Sequence, residues 1–398
     1  MSSPEEASGP ATIDVSAVAA WLVDGARSAA TSQDVLEALC IRLVECGISL
    51  WRVAVYVQTL HPLILTRRFV WKPGAAVEVG EATFAFAGHA NYRASPVVRI
   101  EASGETIRRR LADPACPIDY PILSELREEG VTDYLGMPLR FTNAEIHAAT
   151  FTTRQPGGFT PDEIAAIESI IPPLARVAEV RALRRTAVNL LNAYVGQDAG
   201  ERILSGRIRR GDTETIRAAI WLSDMRGFTR RADTMAPAAL IELLNHFYDQ
   251  LVPPIEAEGG EVLKFMGDGL LAIFRIGDDG DADAACARAL RAARHAEANV
   301  AALAAAGGAD LRFGLALHVG EALYGNIGAG ARLDFTCIGP AINLAARLEK
   351  IAAQLGRVIV ASEAFARCLP GEFFALGEFE LAGFRQAETV FGLVTEGA

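Results

Sequence analysis

Residues 216–229 read IRAAIWLSDMRGFT, and residues 262–274 read VLKFMGDGLLAIF. The first stretch predicts a buried strand that ends at Ser223-Asp224 and gives way to a turn containing Gly227. In the second, apolar arms flank Gly267-Asp268-Gly269, the signal for a tight hairpin. Asp224 is therefore expected to follow a strand, and Asp268 to occupy a hairpin tip. Two carboxylates brought together at strand ends and open to solvent bind hard cations such as Mg²⁺ through oxygen. Taken singly, such residues commonly do no more than cap a helix or bond their own turn. The two contexts together, SDMRGFT and KFMGDGLLAIF, give the metal reading its weight.

Around these stretches the punctuation is that of one α+β domain over residues 216–398. Residues 238–251 carry Leu240, Leu243, Leu244, Phe247 and Leu251 on one helix face. Residues 283–306 predict an Ala-rich helix stopped at Gly307-Gly308, and residues 311–327 a hairpin turning near Gly320-Glu321. Residues 340–355 then predict a helix and residues 357–361 a strand. This order predicts a ferredoxin-like core, βαββαβ, with its helices on one face.

Upstream, residues 196–215 (GQDAGERILSGRIRRGDTET) are polar and Gly-punctuated, a domain junction. With the stripe before it, residues 181–215 form a helical linker. Thr160-Pro-Asp-Glu163 starts a helix: Thr160 caps, Pro161 takes the first position and Glu163 completes a capping box. The apolar stripe that follows runs through Val177, Val180, Leu183, Ala187, Leu190 and Tyr194, with Arg176, Arg181, Arg184 and Arg185 beside it. It suits either a helix packed on its own domain or a two-helix linker between protomers. Residues 15–180 place a helical stretch, a strand pair (52–65 and 69–71), a middle segment, strands at 136–141 and 146–153, and a closing helix in turn. That order resembles the GAF domain family and implies a regulatory sensor domain, whose ligand or partner it does not identify. Residues 1–14 are expected to be a disordered tail.

Of the 398 residues, 51% are hydrophobic and 22% charged, a globular balance. With 38 Lys and Arg against 49 Asp and Glu, the formal net charge is −11. Such a field repels nucleic acid and anionic lipid, so an anionic substrate needs local cations or a metal. Cys40, Cys46, Cys116, Cys286, Cys337 and Cys368 form no CxxC pair, and the six histidines form no HExxH. A disulfide framework and a structural zinc site are both disfavoured. The start MSSPEE lacks the basic and apolar regions of a signal peptide, and no apolar run reaches the ~20 residues of a membrane helix. A cytoplasmic protein without membrane insertion is expected.

The two opening blocks, together with FTCIGPAINLAARL (residues 335–348), resemble the class III nucleotidyl cyclase catalytic domain; the likeness covers roughly residues 205–395. It implies that Asp224 and Asp268 bind two metal ions, Mg²⁺ or Mn²⁺, helped by the main-chain carbonyl of Met225. It also implies that backbone N–H groups through Arg226, Gly227, Phe228 and Thr229 hold the terminal phosphates of ATP at a helix start. Lys264 takes the purine-reading position; lysine only donates, so it serves adenine N1. Its partner lies seven residues before Asn343, which gives Thr336 rather than Asp334. A Lys–Thr pair resembles the subgroup stimulated by bicarbonate. Cys337, one position on, is the residue type that guanylate cyclases often use. By the same resemblance Asn343 orients the ribose and Arg347 stabilises charge on the α-phosphate; their i, i+4 spacing puts them on one helix face. Many members carry Lys before the Gly of a final strand motif, where this chain has Ala382, and Arg332 is expected to share that load. Family sites are shared between protomers, which implies a homodimer.

The leading expectation is an adenylate cyclase that converts ATP to 3′,5′-cyclic AMP and pyrophosphate under control of the N-terminal domain. A guanylate cyclase is disfavoured by Lys264. A cyclase-homology module that only binds would ordinarily have lost a metal aspartate or the arginine, and Asp224, Asp268 and Arg347 all remain.

Overall fold

The computed structural model describes residues 13–277, 280–307, 311–330 and 332–394. The tail expected over residues 1–14 lies outside them as far as residue 12, and so does Gly308 of the expected helix stop. The chain divides into two compact units, residues 1–190 and 191–398. Among the described residues no helix is long and apolar enough to cross a membrane.

In the first unit α1 (Ser16–Val23) and α2 (Ser32–Glu45) lead into β1 (Arg52–Gln58), β2 (Ile64–Trp71) and β3 (Glu78–Thr83). Then come α3 (Ala90–Arg93), α4 (Pro96–Ser103), β4 (Ile107–Arg109), α5 (Pro121–Glu128), β5 (Asp133–Arg140), β6 (Ile146–Thr153) and α6 (Pro161–Val195). The strands form one antiparallel sheet in the order β3-β2-β1-β6-β5-β4. Strand alternation sends Val53, Val55 and Val57 into one core with α1, α2 and α6, while Tyr134 and Ala148 enter a second core with α4 and α5. The capping box at the start of α6 is formed: Thr160 Oγ1 accepts from Glu163 N at 3.2 Å, and Thr160 N donates to Glu163 at 2.7 Å. The helix continues past Pro172 and Pro173 and through the boundary between the units.

The second unit runs α7 (Gln197–Leu204), β7 (Thr213–Met225), α8 (Phe228–Thr234), α9 (Pro237–Ala257), β8 (Glu261–Met266), β9 (Gly269–Arg275) and α10 (Ala282–Ala305). It continues with β10 (Phe313–Ala329), β11 (Arg332–Ile338), α11 (Pro340–Leu355), β12 (Ile359–Ser362), α12 (Glu363–Cys368), β13 (Phe373–Phe379) and β14 (Glu388–Leu393). The sheet order is β13-β14-β12-β10-β7-β9-β8, with β11 on β10. Within it β10-β7-β9-β8, all antiparallel neighbours, is the βαββαβ arrangement.

Three expectations are corrected. Residues 311–327 do not turn at Gly320: β10 is one 17-residue strand, and it pairs with β7 through Gly320 and on to Gly325. Gly320 serves close packing instead, because a Cβ there would stand 2.8 Å from the Ala341 Cβ of α11. The helices cover both faces: α9 and α10 pack on Trp221 and Phe274, whereas α11 and α7 pack on Ala218, Ile220 and Ala316. Both faces of β7 are apolar, so each requires a cover. Finally, Asp224 lies inside β7 as its penultimate residue rather than beyond the strand.

Candidate active site

Asp224 stands between two glycines, in register with Gly269 on β9 and Gly314 on β10. Across the turn Gly267-Asp268, Met266 pairs with Gly269 in a two-residue hairpin. Gly267 has φ of +69°, and Asp268 does not share the positive φ, as a type II′ turn requires. Met225 N–H donates to the Asp268 carbonyl at 3.3 Å, which draws the hairpin tip against the end of β7. Tyr248 of α9 holds the tip from outside: its hydroxyl donates to Gly267 O at 2.6 Å, and its ring lies 4.4 Å from that of Phe265.

The two carboxylates thus meet. Burial first, then the charges of Asp268 and Glu349, push the Asp224 carboxyl up to about 6; Arg226 opposes them. Half-buried carboxylates under such mutual repulsion are what a divalent cation relieves. No cluster of three or more His, Cys, Asp or Glu suited to a metal occurs among the described residues. The remaining oxygens would come from the main chain, water and substrate phosphate, the usual way Mg²⁺ is held beside one or two carboxylates. The residues present fit such a cation.

Arg226, two residues beyond Asp224, keeps its charge within reach of that carboxyl. Its guanidinium lies over Gly314, where a Cβ would collide with it, and bonds Glu349 of α11 at 2.6 Å. Glu349 is 7% exposed. Gly227 follows with φ of +73° and precedes the first turn of α8, which has no side-chain cap. Phe228 packs on the core beneath, and Thr229 is exposed.

Lys264 of β8, expected at the purine-reading position, makes an ion pair with Asp334 of β11 rather than a contact with Thr336. Thr336 lies two residues on, hence on the same strand face as Asp334. Phe335 and Cys337 alternate onto the opposite face, in the core. Burial pushes the Cys337 thiol up to about 11.

Asn343 and Arg347 sit on the outward side of α11, exposed and half-buried respectively, whereas Leu344, Leu348 and Glu349 face in. Among the described residues no hydrogen bond or ion pair engages the side chain of either. Arg332 is the exposed first residue of β11, and Ala382 lies exposed between β13 and β14. Asp224 and Asp268 form one cluster, and Lys264, Asp334 and Thr336 another. No hydrogen bond or ion pair among the described residues joins these clusters to each other or to Asn343 and Arg347.

The sequence reading missed Tyr248, Glu349 and Asp334 as site residues. Tyr248 adjoins Phe247 on a readable helix face, but nothing local marks its hydroxyl for Gly267. Glu349 could have been singled out as a charge at a buried α11 position, one after Leu348.

Residues 212–394 match the family described as the adenylate and guanylate cyclase catalytic domain. An adenylate cyclase of Anabaena cylindrica is 27% identical over 218 residues, 52% of this chain and 42% of that protein. Adenylate cyclase 1 of Rhizobium meliloti is 29% identical over 176 residues, 43% of this chain and 26% of that one. The crystal structure of the adenylyl cyclase CyaB from P. aeruginosa superposes with a TM-score of 0.40 at 26% identity, covering 46% of this chain and 97% of that one. The chain carries a class III adenylate/guanylate cyclase catalytic domain. It spans less than half the length of either curated relative.

Proposed function

We propose that this chain is an adenylate cyclase that forms 3′,5′-cyclic AMP and pyrophosphate from ATP. The observation that carries the reading is the Asp224–Asp268 carboxylate pair at the end of β7, inside the stretch that matches the cyclase domain. Two adenylate cyclases among the relatives support ATP as the substrate.

Lys264 donates to adenine N1, and the Thr336 hydroxyl accepts from the N6 amino group; Cys337, buried on the other strand face, is not available to a base. Asn343 orients the ribose, and the uncommitted guanidinium of Arg347 takes up charge on the α-phosphate. The N–H groups of residues 227–229 hold the terminal phosphates, since that of Arg226 already donates to the Arg312 carbonyl at 2.8 Å, and Arg332 supplies charge where Ala382 cannot. The ribose 3′-oxygen attacks the α-phosphorus in line, the bond to pyrophosphate breaks, and the hydroxyl proton leaves to solvent. Mg²⁺ or Mn²⁺ ions, held by Asp224, Asp268 and the Met225 carbonyl, would supply charge neutralisation and an acidified 3′-hydroxyl. Two copies of the chain complete two equivalent sites, and the N-terminal unit regulates them.

Purified protein with Mn²⁺ and either ATP or GTP tests the reading. ATP should be the better substrate, Asp224→Ala or Asp268→Ala should abolish turnover, and Lys264→Glu with Thr336→Cys should shift preference toward GTP. Turnover retained without either aspartate, or a wild-type preference for GTP, would overturn it. Bicarbonate stimulation, proposed from the Lys264–Thr336 pair, should appear in a dose series at fixed pH and ionic strength with chloride as control. A flat response there removes that proposal alone.

A further inference from the structure

A cleft of about 1040 Å³ opens in the N-terminal unit between the α1–α2 segment, the β1–β2 face of the sheet and the 174–188 stretch of α6. Its floor is apolar core: Leu36, Val55 and Val57 are buried, and Phe69 lies beside them. Six arginines line it (Arg27, Arg67, Arg176, Arg181, Arg184 and Arg185), and no Asp or Glu does. In a chain of net charge −11 that is a marked local reversal.

Three of the six are neutralised by carboxylates outside the lining: Arg27 by Asp24 at 3.2 Å, Arg67 by Glu81, and Arg176 by Glu179 at 2.8 Å. The other three differ. Arg181 makes no ion pair among the described residues: it donates to the main-chain carbonyls of Ala29 and Ala30, at 2.6 and 2.8 Å, and its charge is felt by the Asp34 carboxyl. Arg184 and Arg185 have no hydrogen-bond or ion-pair partner among the described residues. At spacings of three and four, these three form one basic stripe on α6, beside Val177, Val180 and Val188. Val180 is 66% exposed.

We infer that this cleft binds an amphipathic anion, an alkyl chain lying on the valine and leucine floor with its carboxylate or phosphate head against Arg184 and Arg185. The volume suits a lipid-sized ligand, and lining that is mostly apolar with a few convergent polar groups is the usual form of a small-molecule site. A planar guanidinium pairs with either head through two parallel bonds. A second copy of the chain is the poorer occupant. Two-fold association would set the same arginine stripe against itself, with no carboxylate in the lining to pair with it.

The test titrates full-length protein calorimetrically with laurate and with dodecyl phosphate, each below its micelle-forming concentration. Dodecyl maltoside supplies the chain without charge, dodecyltrimethylammonium the opposite charge, and acetate the head alone. Laurate or dodecyl phosphate should bind saturably at one per chain, and at least tenfold more tightly than any control; the better of the two identifies the head. The exposed double substitution Arg184→Gln with Arg185→Gln should weaken binding at least tenfold, as should Val180→Asp, with thermal melting unchanged. Equal affinity for dodecyl maltoside, affinity unmoved by these substitutions, or no binding would overturn the inference. So would a change in protomer association of the double variant without laurate binding, which would assign the cleft to a second copy.

Discussion

Arg226 shows how much of this site rests on single side chains. It lies one residue beyond the Asp224–Met225 pair at the end of β7, yet its guanidinium reaches Glu349, 123 positions along the chain. Glycine at 314 leaves room for it. Removing one partner of a largely buried pair strands the other charge, which costs about 3–5 kcal/mol in fully buried cases and less here, since Arg226 is partly exposed. Arg226→Met or Glu349→Met should therefore each destabilise by about 2 kcal/mol. The double variant should lose clearly less than the sum, measured by urea unfolding in a double-mutant cycle. Strict additivity would mean that the two charges do not depend on each other. Asp334 belongs to the same scale: its carboxylate pairs with the ammonium of Lys264, the proposed purine-reading group.

Among the elements, β10 has the most work to do. It pairs with β7, β11 and β12, and so fixes the strand that carries Asp224 relative to the one that carries Thr336. His318 lies in its middle, with Nδ1 2.8 Å from the Ser362 hydroxyl at the end of β12. Gly320 beside it leaves space for both the imidazole and α11. Burial pushes the His318 imidazole down to about 4. Unfolded histidine takes up a proton near pH ~6.5, so the stability of the fold is full above that value and falls as pH drops toward 4, by at most about 1.4 kcal/mol per unit. His318→Asn should be less stable than wild type at pH 7, and the gap should narrow steadily by pH 4.5 in urea midpoints. A gap independent of pH would show that His318 is not held neutral. Gly320 also explains the mistaken hairpin: an isolated glycine in an apolar run reads as a turn, whereas here it marks a close approach of helix to strand. Local chemistry was legible elsewhere, in the capping box of Thr160 and Glu163 and in the two-residue turn at Gly267-Asp268. β3 was not legible, because its residues are nowhere buried and show no hydrophobic alternation.

At the scale of the whole molecule, the sequence carried the motifs and the structure supplied their grouping. Asp224, Asp268, Lys264, Thr336, Asn343 and Arg347 were all readable as candidates. That Lys264 meets Asp334, 70 positions away, and that Tyr248 clamps the hairpin depend on tertiary contacts with no periodic signal in the chain. The grouping also bears on assembly. In the proposed homodimer the carboxylate pair of one copy completes a site with Asn343 and Arg347 of the other. The most direct measurement mixes Asp224→Ala protein with Arg347→Ala protein, each inactive alone, and follows cyclic AMP formation from ATP with Mn²⁺. Activity should return in proportion to the heterodimer fraction, because each mixed dimer would keep one intact site. Heterodimers shown to form but remaining inactive would contradict it.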